Sequence, residues 1–185
     1  MSTKIILIPG NSGSLIKENW FLSVKKDLEK VGLEVIARDF PDNDLARKSY
    51  WLPFLMDELK ADQNTVLVGH SSGAIAAMCF AEQHPILSSV LVGAYHSHLN
   101  LEKEKLSGYF DAPWNWEKIK SNQQWTIIFS SQDDPWIPIE EPRYLHKQLN
   151  CEYHEFKDQG HFGGDYNKTS FPELSQAILR NLEMA

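Results

Sequence analysis

Short runs of β-branched and aliphatic residues alternate along this chain with longer stretches in which apolar positions return every three or four residues. The short runs have no polar face. Residues 5–8, Ile-Ile-Leu-Ile, are the first, and an uninterrupted apolar run of that length predicts a strand covered on both sides. The loop Pro9-Gly10-Asn11-Ser12-Gly13-Ser14 follows. Ile16, Trp20, Phe21, Val24, Leu28 and Val31 then form one helical stripe, with Ser14 placed as its cap and Gly32 as its stop. Residues 34–37 predict a second strand. Asp42 or Asn43 then starts a short helix that Pro53 interrupts, with a further helical turn running through Leu59.

The third predicted strand, residues 65–68, runs into Gly69-His70-Ser71-Ser72-Gly73 and then into a helix from Ser72 to about Glu82. That helix is apolar on nearly every side until His84-Pro85 ends it, so it belongs in the middle of a domain. Residues 88–92, 125–129 and 151–156 predict strands four to six, with a helix around 144–149 between the last two. Ser170-Phe171-Pro172-Glu173 has the form of a capping box, and Phe171, Leu174, Ile178, Leu179 and Leu182 supply the inward stripe of a last helix. Strands and helices in alternation imply parallel pairing with right-handed crossovers: a doubly wound α/β sheet in one domain spanning residues 1–185.

One segment breaks the rhythm. Residues 95–124 carry charges, Gly108, Pro113, Trp114 and Trp116 between two strands, and are too long for a plain crossover. An excursion at the carboxyl end of a strand can wall a ligand site; equally, its tryptophans can pack on the sheet edge as core. Both readings stand at this point.

Composition narrows the partners. At 185 residues the chain can remove roughly 70% of its unfolded surface from water and needs no staple. With 18 basic and 25 acidic side chains the formal charge is −7, which repels nucleic acid and anionic membrane. Neither is expected as a partner. Cys79 and Cys151 make no spaced framework for disulfides or zinc, and no apolar run approaches the ~18 residues of a membrane helix. With no basic leader and cleavage site ahead of residue 5, the expectation is a soluble, cytoplasmic protein.

The chemistry sits at Gly69-His70-Ser71-Ser72-Gly73. A strand, a Gly-x-Ser-x-Gly turn and a helix describe a nucleophile elbow, in which a strained turn lifts one serine hydroxyl clear of the sheet. Ser71 holds the central position. Ser72 is its rival for nucleophile, but its backbone N–H follows the nucleophile directly, where an oxyanion donor is expected. A serine needs a base, and the base needs a carboxylate, which follow in the order acid, then histidine, each after a strand. Asp134, in Gln132-Asp133-Asp134-Pro135, and His161, in Gln159-Gly160-His161-Phe162, stand in those places. Asp133 is the alternative acid or a turn acceptor. The second oxyanion donor belongs on the glycine-rich loop after the first strand, with the N–H of Asn11 first and Ser12 close behind.

That loop lacks both nucleotide-binding glycine patterns, and His96 and His98 have no cysteine or carboxylate cluster beside them, so neither a nucleotide nor a metal is expected. His70, beside the nucleophile, reads as support for the elbow. Trp114, Trp116, Trp136 and Phe162 are candidates for an apolar substrate wall, if they face the site.

These segments resemble a known family. Ile8-Pro9-Gly10-Asn11, Trp51-Leu52-Pro53-Phe54, the elbow, Ser107-Gly108-Tyr109-Phe110, Pro113-Trp114-Asn115-Trp116-Glu117-Lys118-Ile119, Asp133-Asp134-Pro135 and Gly160-His161-Phe162 are similar to the small α/β-hydrolase-fold serine hydrolases of the retinoblastoma-binding protein 9 and YdeN-like group. The resemblance implies a compact α/β-hydrolase fold, six parallel strands in the order 2-1-3-4-5-6 with helices on both faces. It also implies Ser71 as nucleophile, Asp134 as orienting acid and His161 as base, in a cofactor-independent carboxylesterase or amidase. An L-x-C-x-E motif for retinoblastoma-type binding should fall near Leu59-Lys60-Ala61-Asp62-Gln63, which lacks both the cysteine and the glutamate, so that partner is not expected. The alternative function is a hydrolase-fold module, weak or inactive in catalysis, that binds another protein.

Overall fold

The computed structural model describes residues 3–164 and 168–184. Six strands, β1 (Lys4–Ile8), β2 (Glu34–Ala37), β3 (Thr65–His70), β4 (Ser88–Val92), β5 (Trp125–Ser131) and β6 (Glu152–Phe156), form one parallel sheet in the order β2-β1-β3-β4-β5-β6. This is the expected order. Successive side chains of the central strands feed opposite layers: Ile5, Leu7, Val66, Val68, Val90 and Val92 enter one cluster, and Ile6, Ile8, Leu67 and Leu91 the other. Both faces are therefore apolar, which is why the strands read as unbroken runs rather than alternating ones.

Helices α1 (Phe21–Glu29) and α7 (Pro172–Met184) supply the first cluster through Phe21, Val24, Leu28, Leu174, Ala177 and Ile178. The opposite layer holds α2 (Lys48–Pro53), a π-helical turn (Phe54–Glu58), α3 (Ser72–Gln83), α5 (Trp116–Ser121) and α6 (Glu140–Leu149). A short α4 (Glu102–Ser107) lies between β4 and α5. Helix α3 is buried from Ser72 through Ala81, in keeping with its all-round apolar sequence.

Four expected starts need correcting. The first helix begins at Phe21, not after Ser14, because Asn19 takes a positive φ of 53° and residues 16–20 form turns and a bend, with the Ile16 N–H capped by Asp39 Oδ1 at 2.8 Å. Ile16 and Trp20 are buried without being helical, and Val31 lies outside, 58% exposed. The second helix starts at Lys48; Asp42 instead sits in a turn and pairs with Arg47 at 2.8 Å. Finally, α6 begins four residues before Tyr144, and β6 begins one residue after Cys151.

Candidate active site

The elbow is made by backbone crowding. A Cβ on Gly69 would overlap the Gly73 carbonyl, and one on Gly73 would overlap the carbonyls of Ile8 and Pro9, so the turn closes only if both positions are glycine. Ser71 sits between them at φ 54°, ψ −123°, a conformation that costs a non-glycine residue roughly 1–3 kcal/mol. It is held there by its N–H on the Val92 carbonyl at 2.9 Å, while its own carbonyl accepts from Ala74 N–H at 2.8 Å. As the first residue of α3, Ser72 carries one of the backbone N–H groups that a helix start leaves without an intrahelical acceptor.

His161 follows β6 and Asp134 follows β5. Their side chains meet: His161 Nδ1 lies 2.7 Å from Asp134 Oδ2, with the carboxylate side chain 3% exposed. The other oxygen, Asp134 Oδ1, accepts the N–H groups of Trp136 at 2.9 Å and Ile137 at 3.0 Å. Asp134 is thus aimed by backbone on one side and aims the imidazole on the other. Asp133 faces a different way, accepting from Ser131 Oγ at 2.6 Å and from Gly160 N–H at 2.8 Å, so it fixes the turn that precedes His161.

Two contacts bring this pair to the elbow. Gly93, at φ 58° just after β4, leaves the space that the imidazole fills: a Cβ there would stand 3.1 Å from His161 Cε1. Its neighbour Val92 carries the carbonyl that anchors Ser71. From the elbow itself, His70 Nε2 lies 2.6 Å from the His161 carbonyl oxygen and donates to it. Burial, then the neighbouring His161, lower the His70 ring from its ordinary value to about 3, so it stays neutral and keeps that proton arrangement. His70 supports the site across to the histidine loop as well as at the elbow.

The glycine-rich loop runs along the other side of Ser71, where a Cβ on Gly10 would be 3.3 Å from Ser71 Cβ. Its backbone is tied by Ser12 N–H to the Asp44 carbonyl and Gly13 N–H to the Asn43 carbonyl, both at 3.0 Å. Asn11 Nδ2 donates to the buried Glu104 at 2.8 Å, and Ser72 Oγ reaches the same Glu104 oxygen at 3.3 Å and Tyr95 OH at 3.1 Å.

The four candidate wall residues separate. Trp114, fixed by its Nε1–H on the His96 carbonyl at 2.9 Å, lines a cavity of about 350 Å³ together with Phe110, His96 and Asp111. Trp116 stacks behind it with ring centres 5.9 Å apart, on the core rather than in that cavity. Trp136 is 63% exposed. Phe162 does not join the wall: its positive φ of 57° turns it into the core, fully buried and stacked on Phe171 at 5.4 Å. Gly93 and Glu104 were not signalled as site residues. A glycine ending a strand one position beyond a run of valines gave a faint cue for the former; a Glu-Lys-Glu-Lys stretch reads as solvated surface and gave none for the latter.

The profile of the family described as serine hydrolase matches residues 5–180. The chain belongs to that family. Serine hydrolase RBBP9 of Rattus norvegicus is 43% identical over 185 residues, covering 99% of this chain and 97% of that protein. Among solved structures, the ydeN gene product of B. subtilis superposes with a TM-score of 0.88 at 24% identity, over 98% of this hydrolase and 100% of that chain. Est1E from Butyrivibrio proteoclasticus, solved with ferulic acid bound, superposes with a TM-score of 0.72 at 17% identity, over 98% and 88% of the two chains.

Proposed function

We propose that this serine hydrolase cleaves a small ester or amide through an acyl-enzyme on Ser71, without a cofactor, and that residues 1–185 act as one cytoplasmic domain. The observation that carries this reading is the Asp134–His161 pair at 2.7 Å, from two strand ends, with the His161 carbonyl hydrogen-bonded to His70, the neighbour of the strained Ser71. In the first step Ser71 Oγ attacks the carbonyl carbon and its proton passes to His161 Nε2. Asp134 holds the imidazole in the tautomer with Nε2 free and steadies the imidazolium that forms. The oxyanion rests on the N–H groups of Ser72 and Asn11, each such donor typically worth about 2.7–4 kcal/mol in the transition state.

His161 then returns the proton to the leaving alcohol or amine, and the C–O or C–N bond breaks. Water, deprotonated by the same nitrogen, attacks the acyl carbon and releases the acid and Ser71. We assign the apolar part of the substrate to the cavity lined by Phe110 and Trp114; Phe110 stacks on Tyr95, the hydrogen-bond partner of Ser72 Oγ. A planar aromatic acyl group of the kind carried by ferulic acid suits such a wall.

A fluorophosphonate probe tests the assignment, since it modifies only an activated serine. Labelling is expected on Ser71 and is expected to vanish in Ser71→Ala. Folded protein that is labelled elsewhere, or not at all, would falsify the enzyme reading and favour a protein-binding module. A panel of chromogenic esters and aminoacyl amides then sorts the substrate.

A further inference from the structure

Helix α4 is built inside out. Its inward positions are Glu104, 4% exposed, and Ser107, whereas Leu106 points outward at 56%. A packing role alone would be better met by the reverse, because a buried carboxyl group costs more than a buried leucine unless something is gained from its bonds. Those bonds are specific. One oxygen, Glu104 Oε1, accepts from Asn11 Nδ2 at 2.8 Å and from Ser72 Oγ at 3.3 Å, joining the glycine-rich loop to the first residue of α3. Ser72 Oγ is shared with Tyr95 OH, and the second Glu104 oxygen is buried without a partner among the described residues.

We propose that Glu104 is a positioning residue for the oxyanion hole, fixing the separation of the Asn11 and Ser72 N–H donors by gripping both side chains with one oxygen. The inference rests on the acyl-enzyme reading above. Asn11 and Ser72 lie on separate segments that enter the site from β1 and β3, and their own backbone bonds do not join them to each other. The preceding residue adds a second tether, Lys103 Nζ to Asp44 Oδ1 at 2.6 Å and to Ser12 Oγ at 3.3 Å. So α4 closes over the loop at two adjacent positions. Burial raises the Glu104 carboxyl above its ordinary range, while the hydrogen bonds from Tyr95, Ser72 and Asn11 pull the other way.

Positioning makes a prediction that packing does not. Asn11→Ala keeps the backbone N–H but frees the loop, so it should mimic Glu104→Ala. Each should lower kcat by about 10- to 100-fold, part of the 10²–10³-fold lost with a whole donor, while KM moves less than about threefold. Because each lets go of the same tie, Asn11→Ala combined with Glu104→Ala should be little worse than either alone. Glu104→Gln, whose amide oxygen still accepts both bonds, should recover most of the loss.

Rates on a chromogenic ester, divided by the amount of Ser71 titrated with a fluorophosphonate, remove any effect of misfolded protein. Unchanged kcat per titrated site in Glu104→Ala, losses that multiply in the double variant, or a Gln variant as poor as Ala would each overturn the proposal. Amide hydrogen exchange at Asn11 gives a readout that needs no turnover: faster exchange in Glu104→Ala is expected, and an unchanged rate counts against the tether. If the wild type neither labels nor turns over substrate, the acyl-enzyme reading itself has failed. That result is distinct from any difference between variants.

Discussion

The elbow and the histidine loop meet at one point but are held by opposite means. The elbow is rigid because two glycines four positions apart let backbone press on backbone, Gly69 on the Gly73 carbonyl and Gly73 on the carbonyls of Ile8 and Pro9. The loop carrying His161 is rigid because side chains from elsewhere hold it: Asp133 on Gly160 N–H, Ser131 Oγ on Gln159 N–H at 2.9 Å, and His70 on the His161 carbonyl. Backbone packing makes the first, side-chain hydrogen bonding the second. One can be broken only by breaking the fold; the other can be loosened while the fold survives.

The largest expected effect removes the chemistry and leaves both supports in place. Ser71→Ala, His161→Ala or Asp134→Asn should each reduce kcat roughly 10⁴-fold or more with little change in melting temperature, by ester assay and thermal denaturation. Next comes Gly69→Ala, whose Cβ has nowhere to go; it should destabilise the protein by about 3 kcal/mol or more in urea titration, and a tolerated Gly69→Ala would undo the contrast just drawn. Asp133→Ala sharpens it from the other side. Losing the acceptor for Ser131 Oγ and Gly160 N–H should cost about 1–3 kcal/mol, but folded protein should remain, with a lowered kcat.

The last effect needs no substitution and is spread over pH, its size in any single pH step the smallest of the set. His70 is neutral in the folded protein down to about pH 3, whereas an unfolded histidine takes up a proton near pH 6.5. Between those values the unfolded state binds more protons, so stability falls as pH falls, by up to about 1.4 kcal/mol per pH unit, and is flat above pH 7 from this source. Denaturant midpoints of wild type and His70→Gln across pH 4–7 check the slope, which should flatten in the variant.

The same contrast explains what was legible in the sequence. Strands with both faces buried and the Gly-x-Ser-x-Gly turn are local patterns, so Ser71 and the sheet could be read directly. The pairing of Asp134 with His161 was reachable because their chain order and strand-end positions are restricted. Phe162 was misjudged because a single positive φ sends its ring to the opposite side of the chain from His161, and single dihedrals leave no mark on composition. Glu104 was invisible for a related reason. Its inward face is set by the partners it finds on two other segments, and an isolated six-residue charged helix has no preferred side. The first helix was drawn too long because burial, which Ile16 and Trp20 share with α1, does not require helical backbone.

The bond from His70 to the His161 carbonyl joins residues 91 apart in sequence, and one end of it is the last residue of a central strand. Active-site loops are commonly the first parts of an enzyme to open on warming. Here the loop that carries His161 is moored to the interior of the sheet, so the site and the sheet should melt as a single foldon. Heat should switch this hydrolase off at the temperature where it unfolds, with no warmer interval of intact but silent protein.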